Sequence, residues 1–440
     1  MTADPTDADR FPTLSSAGQA ILNHMREHPN APVFRNQSGN RLLAEDIQKL
    51  KEFDDQLGLP KMGVAPPGWV GDFIARAYET VPFYRALGPA PMRLSDVPPV
   101  SRSDFAADIA AFVPDDVPTD RMINFQTTGT TGHRMLIPSH PEIAGRYLSF
   151  HKKALKRFGI TPQYGAGQVG VMLLGHQQPC FTYISVTPTM GDSGLIKLNL
   201  HPDEWQSNGD RAAYIDAMQP EFIAGDPLSF DVLLDIGCTW EPKALLSVSM
   251  MLTDGLRQRL ESEFGCPVLD LYSLNEVGPI GVFDVKMCGH VLLQDRLWIE
   301  TLNDDLSPND QRGEITVTGG FNYCLPLLRY RTGDYGELRA NKGPPLIKNL
   351  SGRAPVRFKS ATGQWHNNID VSHALKHLSI AQYALHQNAD QTLVLSLSSG
   401  ARHLGDAAVV AVRGLLGGLA IDVRDIASDD KVLQYTTDLA

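Results

Sequence analysis

The chain has little of what would tie it to nucleic acid, a membrane or an oxidising compartment. Its 440 residues carry 39 Lys and Arg against 50 Asp and Glu, a formal charge of −11, whereas a phosphate backbone rewards a basic face. Its five cysteines, at positions 180, 238, 266, 288 and 324, form no Cys-x-x-Cys pair, and their odd number suits a reducing compartment better than a disulfide framework. No stretch reaches the roughly 18 uncharged apolar residues of a membrane helix; residues 407–421 come nearest, and Arg413, Gly417 and Gly418 interrupt them. The first ten residues, Met1 to Arg10, are acidic and polar, the opposite of a secretory signal. Two familiar phosphate-binding signatures are missing as well: the Gly-x-x-x-x-Gly-Lys-Ser/Thr loop and a Gly-x-Gly-x-x-Gly that opens a helix. These absences predict a cytoplasmic protein with neither nucleic acid nor membrane as partner; monomer and homodimer both stay open.

What is present fits a globular protein with a sizeable core. Hydrophobic residues make up 42% and charged residues 20%, ordinary values, and the length suggests two or three domains. Residues 1–12 read as disordered, 13–58 as helical with a turn at 36–39, and 68–87 as one amphipathic helix ending near Gly88. From 121 to about 320, strand-like runs (169–174, 221–223, 244–248 and 268–271) alternate with helical stretches (142–158, 212–218 and 254–264). That alternation predicts an α/β fold with largely parallel sheet. Residues 290–340 are richer in strands and turns, and the pattern after Gly352 is β-β-α-β.

The most telling segment is Thr127, Thr128, Gly129, Thr130, Thr131, Gly132, His133 and Arg134, after a strand-like stretch at 121–126. Glycines there let backbone approach a ligand closely, and successive N–H groups with four threonine hydroxyls make an anion-binding concavity. A polyphosphate is the natural guest. Three later segments join it: Tyr272, Ser273, Leu274, Asn275, Glu276; then Leu328, Arg329, Tyr330, Arg331, Thr332, Gly333, Asp334; then Gly352, Arg353. In this order and spacing the chain resembles the superfamily of adenylate-forming enzymes, which includes acyl-CoA synthetases, peptide-synthetase adenylation domains and luciferases. An early Val81, Pro82, Phe83, Tyr84 and a following Leu94, Ser95, Asp96, Val97, Pro98 resemble its phenylacetate–CoA ligase-like branch.

The resemblance implies a large N-terminal domain, residues 1–351, with mostly parallel sheets flanked by helices plus a β-rich part. A small α+β lid, residues 352–440, would rotate over the site. It also implies ATP, Mg²⁺ and CoA as cofactors, a small carboxylic acid as substrate and a carrier protein as an alternative acceptor. Thr127 to Gly132 would cradle the β- and γ-phosphates, with Thr128 catalytic. Arg134 would stand in for the lysine usual after this loop. Glu276 is an oxygen ligand of the kind Mg²⁺ prefers, Tyr272 offers a face to adenine, and Ser273 and Asn275 offer phosphate donors. Asp334 matches the carboxylate that receives both ribose hydroxyls, Arg353 its partner, and Lys431 the mobile catalytic cation. Order along the chain suggests an aromatic-acid pocket around His176, Phe181, Tyr183, Ser249 and Met250. Cys288 and His290 are two ligand-type residues, too few for a tetrahedral zinc site. Pro355 fixes φ beside the expected hinge, so rotation would need either that torsion or another pivot. The expected reaction is formation of an acyl-adenylate and transfer to a thiol. The alternatives are transfer to an amine, nitrite activation for diazotising an aryl amine, and nucleotide binding without turnover.

Overall fold

The computed structural model describes residues 5–63, 65–126, 135–177, 180–309, 311–340, 343–352, 356–426 and 432–439. The chain divides into two compact units: one of residues 1–41, 162–270 and 355–440, the other of 42–161 and 271–354.

The first unit is built on a mostly parallel sheet. Phe222–Gly225 lies between Val169–Gly175 and Ala244–Ser247, all parallel; Ser193–Asn199 pairs with the far side of Val169–Gly175, and Val268 to Asp270 with the far side of Ala244–Ser247. Tyr183–Thr187 is an antiparallel edge against Ser193–Asn199. The two strands Phe222–Gly225 and Ala244–Ser247 are buried at every residue, as expected of a parallel sheet covered on both faces. Helices start and stop where their end residues dictate. Asp226 caps Pro227–Ile236 by accepting from Ser229 N at 2.8 Å, and Gly237 ends it in the left-handed region at φ 73°. Thr253 and Gly265 (φ 60°) do the same for Asp254–Phe264.

The C-terminal segment adds a four-stranded sheet ordered Ile421–Asp425, Leu393–Leu397, Tyr383–Gln387, Tyr435–Thr437. Its apolar face packs on the helices Asn368–Leu375 and Gly405–Leu416 through Val371, Leu375, Val412 and Leu416. The expected β-β-α-β order is present, preceded by the strand pair Arg357–Lys359 and Trp365–Asn367 and a helix, and followed by a closing strand. This segment is tied to the helix Asp254–Phe264: Gly255 N donates to Lys376 O at 3.1 Å, and Thr253 Oγ1 to Ile380 O at 3.1 Å.

The second unit is antiparallel. Its strands run in the order Leu297–Leu302, Arg312–Gly319, Leu327–Arg339, Leu346–Gly352, Gly289–Leu292, Gly278–Asp284, and then residues 271–274. A separate pair, Ile123–Gln126 and Leu136–Ser139, sets Gln126 opposite Leu136. The helix Pro141–Arg157 begins with a proline at its first turn and buries Ile143, Phe150, Ala154 and Leu155.

Two expectations about helices need correction. Residues 68–87 form two helices, Trp69–Thr80 and Pro82–Ala86. Val81 is extended (φ −97°, ψ 118°) because a residue before proline is driven out of the helical region. The described part of 1–12 is ordered: Thr6 caps the short helix Asp7–Arg10, and Phe11 is buried against the first unit's core. Among the described residues, no helix is long and apolar enough to cross a membrane.

Candidate active site

The strand ending at Leu274 reverses into Gly278–Asp284 through a tight turn in which Val277 N donates to Leu274 O at 3.2 Å. Glu276 is the third residue of that turn, and its side chain points inward, only 4% exposed. The turn demands glycine at 278 twice over: φ is +79°, and a Cβ there would lie 2.2 Å from the Phe321 ring. Tyr330 donates its hydroxyl to Glu276 Oε1 at 2.5 Å. Tyr147 braces the same turn from outside, donating to Asn275 O at 3.0 Å.

The second carboxylate, Asp334, comes from a bulge. Arg331 faces Thr316 and Tyr335 faces Glu314, so the three residues Thr332, Gly333 and Asp334 stand against the single residue Ile315. Each residue of the run has a task. Arg331 forks onto Glu314 at 2.8 and 2.6 Å. Thr332 Oγ1 donates to Ile315 O at 2.8 Å and accepts from Asp334 N at 3.1 Å. Gly333 supplies φ +79°. Asp334 is thereby aimed at Tyr272, whose hydroxyl donates to Oδ2 at 2.9 Å. Burial and the nearby carboxylates hold both phenols, Tyr272 and Tyr330, well above the usual tyrosine pKa, so each remains a protonated donor.

Behind Tyr330 stands a run of rings. Tyr330 stacks on Phe105 (centroids 4.9 Å apart, planes 7° apart), Phe105 meets Phe112 edge-on at 4.5 Å, and Phe112 stacks on Phe83 at 4.1 Å. Phe83 belongs to the Val81–Tyr84 segment. Its neighbour Tyr84 is fully buried and accepts from Leu328 N at 3.2 Å, clamping the strand that bears both Tyr330 and Asp334. Packing explains what that early segment does.

No family model matches the chain. A stretch of 111 residues is 31% identical to the phenylacetate–coenzyme A ligase of Pseudomonas putida, covering 23% of this chain and 25% of that enzyme. The corresponding enzyme of Aromatoleum evansii is 27% identical over 116 residues, 24% of this chain and 25% of that one. The match thus spans about a quarter of the length of these relatives. The crystal structure of 2-hydroxyisobutyryl-CoA ligase in the postadenylation state superposes with a TM-score of 0.61 at 16% identity, over 84% of this chain and 88% of that one. The chain carries the fold of the adenylate-forming superfamily. An anthranilate–CoA ligase structure of the same superfamily superposes with a TM-score of 0.50 at 13% identity, covering 73% and 67%.

Within this adenylate-forming fold, the remaining candidates fall in three groups. Thr127, Thr128, Gly129, Thr130, Thr131, Gly132, His133, Arg134, Arg353, Pro355 and Lys431 lie outside the described residues. Ser273 is half-buried and Asn275 exposed on the Glu276 turn. The pocket candidates lie in the first unit, mostly at the C-terminal ends of its parallel strands, where ligands of such sheets bind. His176 follows Val169–Gly175 and stacks on His201 at 5.7 Å. Ser249 (φ 71°) and Met250 follow Ala244–Ser247. Phe181 is exposed, with its ring 5.4 Å from that of Tyr183, which sits on the edge strand Tyr183–Thr187.

Among the described residues, one group has metal-ligand chemistry outside these motifs: Asp46, His140 and Glu142, whose ligand atoms lie within 4.8 Å of one another. Each carboxylate already carries a guanidinium. Arg121 pairs with Asp46 at 2.6 Å, and Arg146 pairs with Glu142. The group is an ion-pair network at the starts of two helices. Cys288 is exposed in a left-handed turn, whereas His290 is buried against Tyr272 and Phe283. Tyr330, Thr332 and Gly278 are functional residues that the sequence does not single out, although Tyr330 and Thr332 stand inside the 328–334 motif.

Proposed function

We propose that the chain is an Mg²⁺- and ATP-dependent ligase that activates a carboxylic acid as its acyl-adenylate and passes the acyl group to a thiol, CoA or a carrier-protein pantetheine. The observation that carries this reading is the pairing of the two motif carboxylates, Glu276 and Asp334, with two buried phenols in one unit. Joining a carboxylate to the α-phosphorus of ATP brings anions together, so the site must supply donors, a metal and a cation.

The residues at Glu276 fit a metal. The carboxylate is buried, its hydrogen-bond partner is a neutral phenol, and among the described residues no Lys, Arg or His pairs with it. Left alone, such a charge is costly in the interior, and a hard divalent cation compensates it. When bound, Mg²⁺ withdraws charge from the phosphate oxygens and so favours attack at phosphorus. Asp334 offers two acceptor oxygens, which suit the vicinal diol of ribose. Thr127 to Gly132 and Arg134 take the β- and γ-phosphates, Tyr272 faces adenine, and Arg353 approaches the ribose. Lys431 stabilises charge between acid and α-phosphate as residues 352–440 close. The acid is aromatic: the phenylacetate ligases share the matched stretch, and Phe181 and Tyr183 offer rings near the strand ends of the first unit.

The test is ATP–pyrophosphate exchange with a panel of aryl, aliphatic and amino acids, with nitrite run separately. Exchange driven by an aryl acid, and lost in Glu276→Ala and Lys431→Ala, supports the reading. Exchange with nitrite alone transfers the chemistry to diazotisation, and ATP binding with no exchange at all leaves a nucleotide-binding homologue.

A further inference from the structure

We propose that Tyr330 is a positioning residue for the metal-holding carboxylate: its hydroxyl occupies one oxygen of Glu276 and directs Mg²⁺ to the other. This rests on the reading of Glu276 given above.

The geometry is specific. An ionised carboxylate has about four lone-pair sites on two oxygens, and its carboxyl plane is free to rotate unless something holds it. Tyr330 fills a site on Oε1 at 2.5 Å. The phenol itself cannot swing away, because its ring is fully buried and lies flat on Phe105 at 4.9 Å. Phe105 is backed in turn by Phe112 and Phe83. One oxygen is therefore tied to a fixed point, and the orientation of the other follows.

The identity of the donor matters as much as its position. Elsewhere in this unit buried carboxylates are matched with guanidinium groups: Asp46 with Arg121, Glu142 with Arg146, Glu314 with Arg331. Those pairs neutralise the acid and leave no demand for a cation. Tyr330, a neutral donor, orients Glu276 without itself cancelling the carboxylate's negative charge. A lysine or arginine at 330 would orient the carboxylate equally well and cancel its attraction for Mg²⁺. Partners that act through a metal ligand in this way are typically worth about 10–100-fold in metal affinity.

Equilibrium dialysis of radiolabelled ATP, with no acid present so that nothing turns over, measures binding as Mg²⁺ is titrated. Tyr330→Phe should raise the half-saturating Mg²⁺ concentration roughly 10–100-fold and leave the Mg²⁺-independent part of ATP binding unchanged. Tyr272→Phe, run alongside, should weaken ATP binding without moving the Mg²⁺ midpoint. A merely structural Tyr330 would lower the melting temperature of Tyr330→Phe and leave the Mg²⁺ curve where it was, and that result overturns the proposal. Should Tyr330→Phe fail to fold, Phe105→Leu keeps the hydroxyl but removes its backing ring. A raised midpoint then supports the proposal, and an unchanged one overturns it. Glu276→Gln separates the two readings: if wild-type ATP binding is Mg²⁺-dependent and this variant retains that dependence, it is the assignment of Glu276 that fails.

Discussion

Glu276 and Asp334 sit at two corners of one antiparallel sheet, and each accepts a tyrosine hydroxyl, yet the corners are built by opposite means. The Glu276 corner is closed by packing. A turn with an obligatory glycine presses against Phe321, the carboxylate is buried, and its phenol is wedged by rings drawn from residues 83–112. The Asp334 corner is closed by polar ties. Thr332, Gly333 and the Arg331–Glu314 fork shape a bulge that leaves its carboxylate half-buried. The contrast suits their proposed ligands. A metal ion needs a fixed, charged oxygen at short range, whereas a ribose must enter and leave past an accessible one.

Substitutions at the two corners should separate them. Glu276→Gln keeps the shape and removes the charge, and acid-dependent exchange should fall by about 10²–10³. A loss of less than tenfold would mean that the metal is held elsewhere. Gly278→Ala adds both a left-handed strain of about 1–2 kcal/mol and overpacking against Phe321 of about 1–3 kcal/mol. Gly333→Ala carries only the first, since a Cβ there meets nothing within 4 Å. Chemical denaturation should therefore show the 278 variant as the less stable, and equal losses would break the distinction between packed and polar corners. Tyr272→Phe removes a hydrogen bond to a charged group, worth about 1.5 kcal/mol or more, and should raise the KM for ATP about tenfold with little change in kcat.

The smallest effect is invisible at neutral pH. Both phenols titrate above their unfolded value of about 10, so the folded chain retains protons that the unfolded chain has released. Their stabilising contribution is complete below about pH 10 and is lost as pH rises beyond it. The alkaline decline of unfolding free energy should be less steep in Tyr330→Phe and in Tyr272→Phe than in the parent. Superimposable slopes would mean that the phenols are not held protonated.

The alternation of apolar runs is enough to expect four of the first unit's five parallel strands, because strands such as Ala244–Ser247 are buried on both faces and read as continuous hydrophobic runs; Ser193–Asn199, interrupted by the less buried Leu195 and Lys197, is not among them. The edge strand Tyr183–Thr187 is not legible either: only its start overlaps the expected pocket, and an edge strand lacks that continuous signature. The segment 68–87 reads as one helix because its apolar spacing continues past Pro82, although the proline carries the signal of a break. At the site, the order of motifs identified Tyr272, Glu276 and Asp334 as a group. It did not reveal that Tyr272 meets Asp334 or that Tyr330 meets Glu276, since contacts 62 and 54 residues apart depend on sheet register. The bulge at 332–334 was hidden for the same reason.

The aromatic run behind Tyr330 has a consequence for synthesis. Phe83, Phe105 and Phe112 leave the ribosome before all of residues 162–270, while Tyr330 and the strand that carries it come after them. At about 5–20 residues per second, Phe105 waits on the order of 10–40 s for the ring that stacks on it. During that interval Phe105 lacks its stacking partner, so the orientation of Glu276 is completed only late in synthesis.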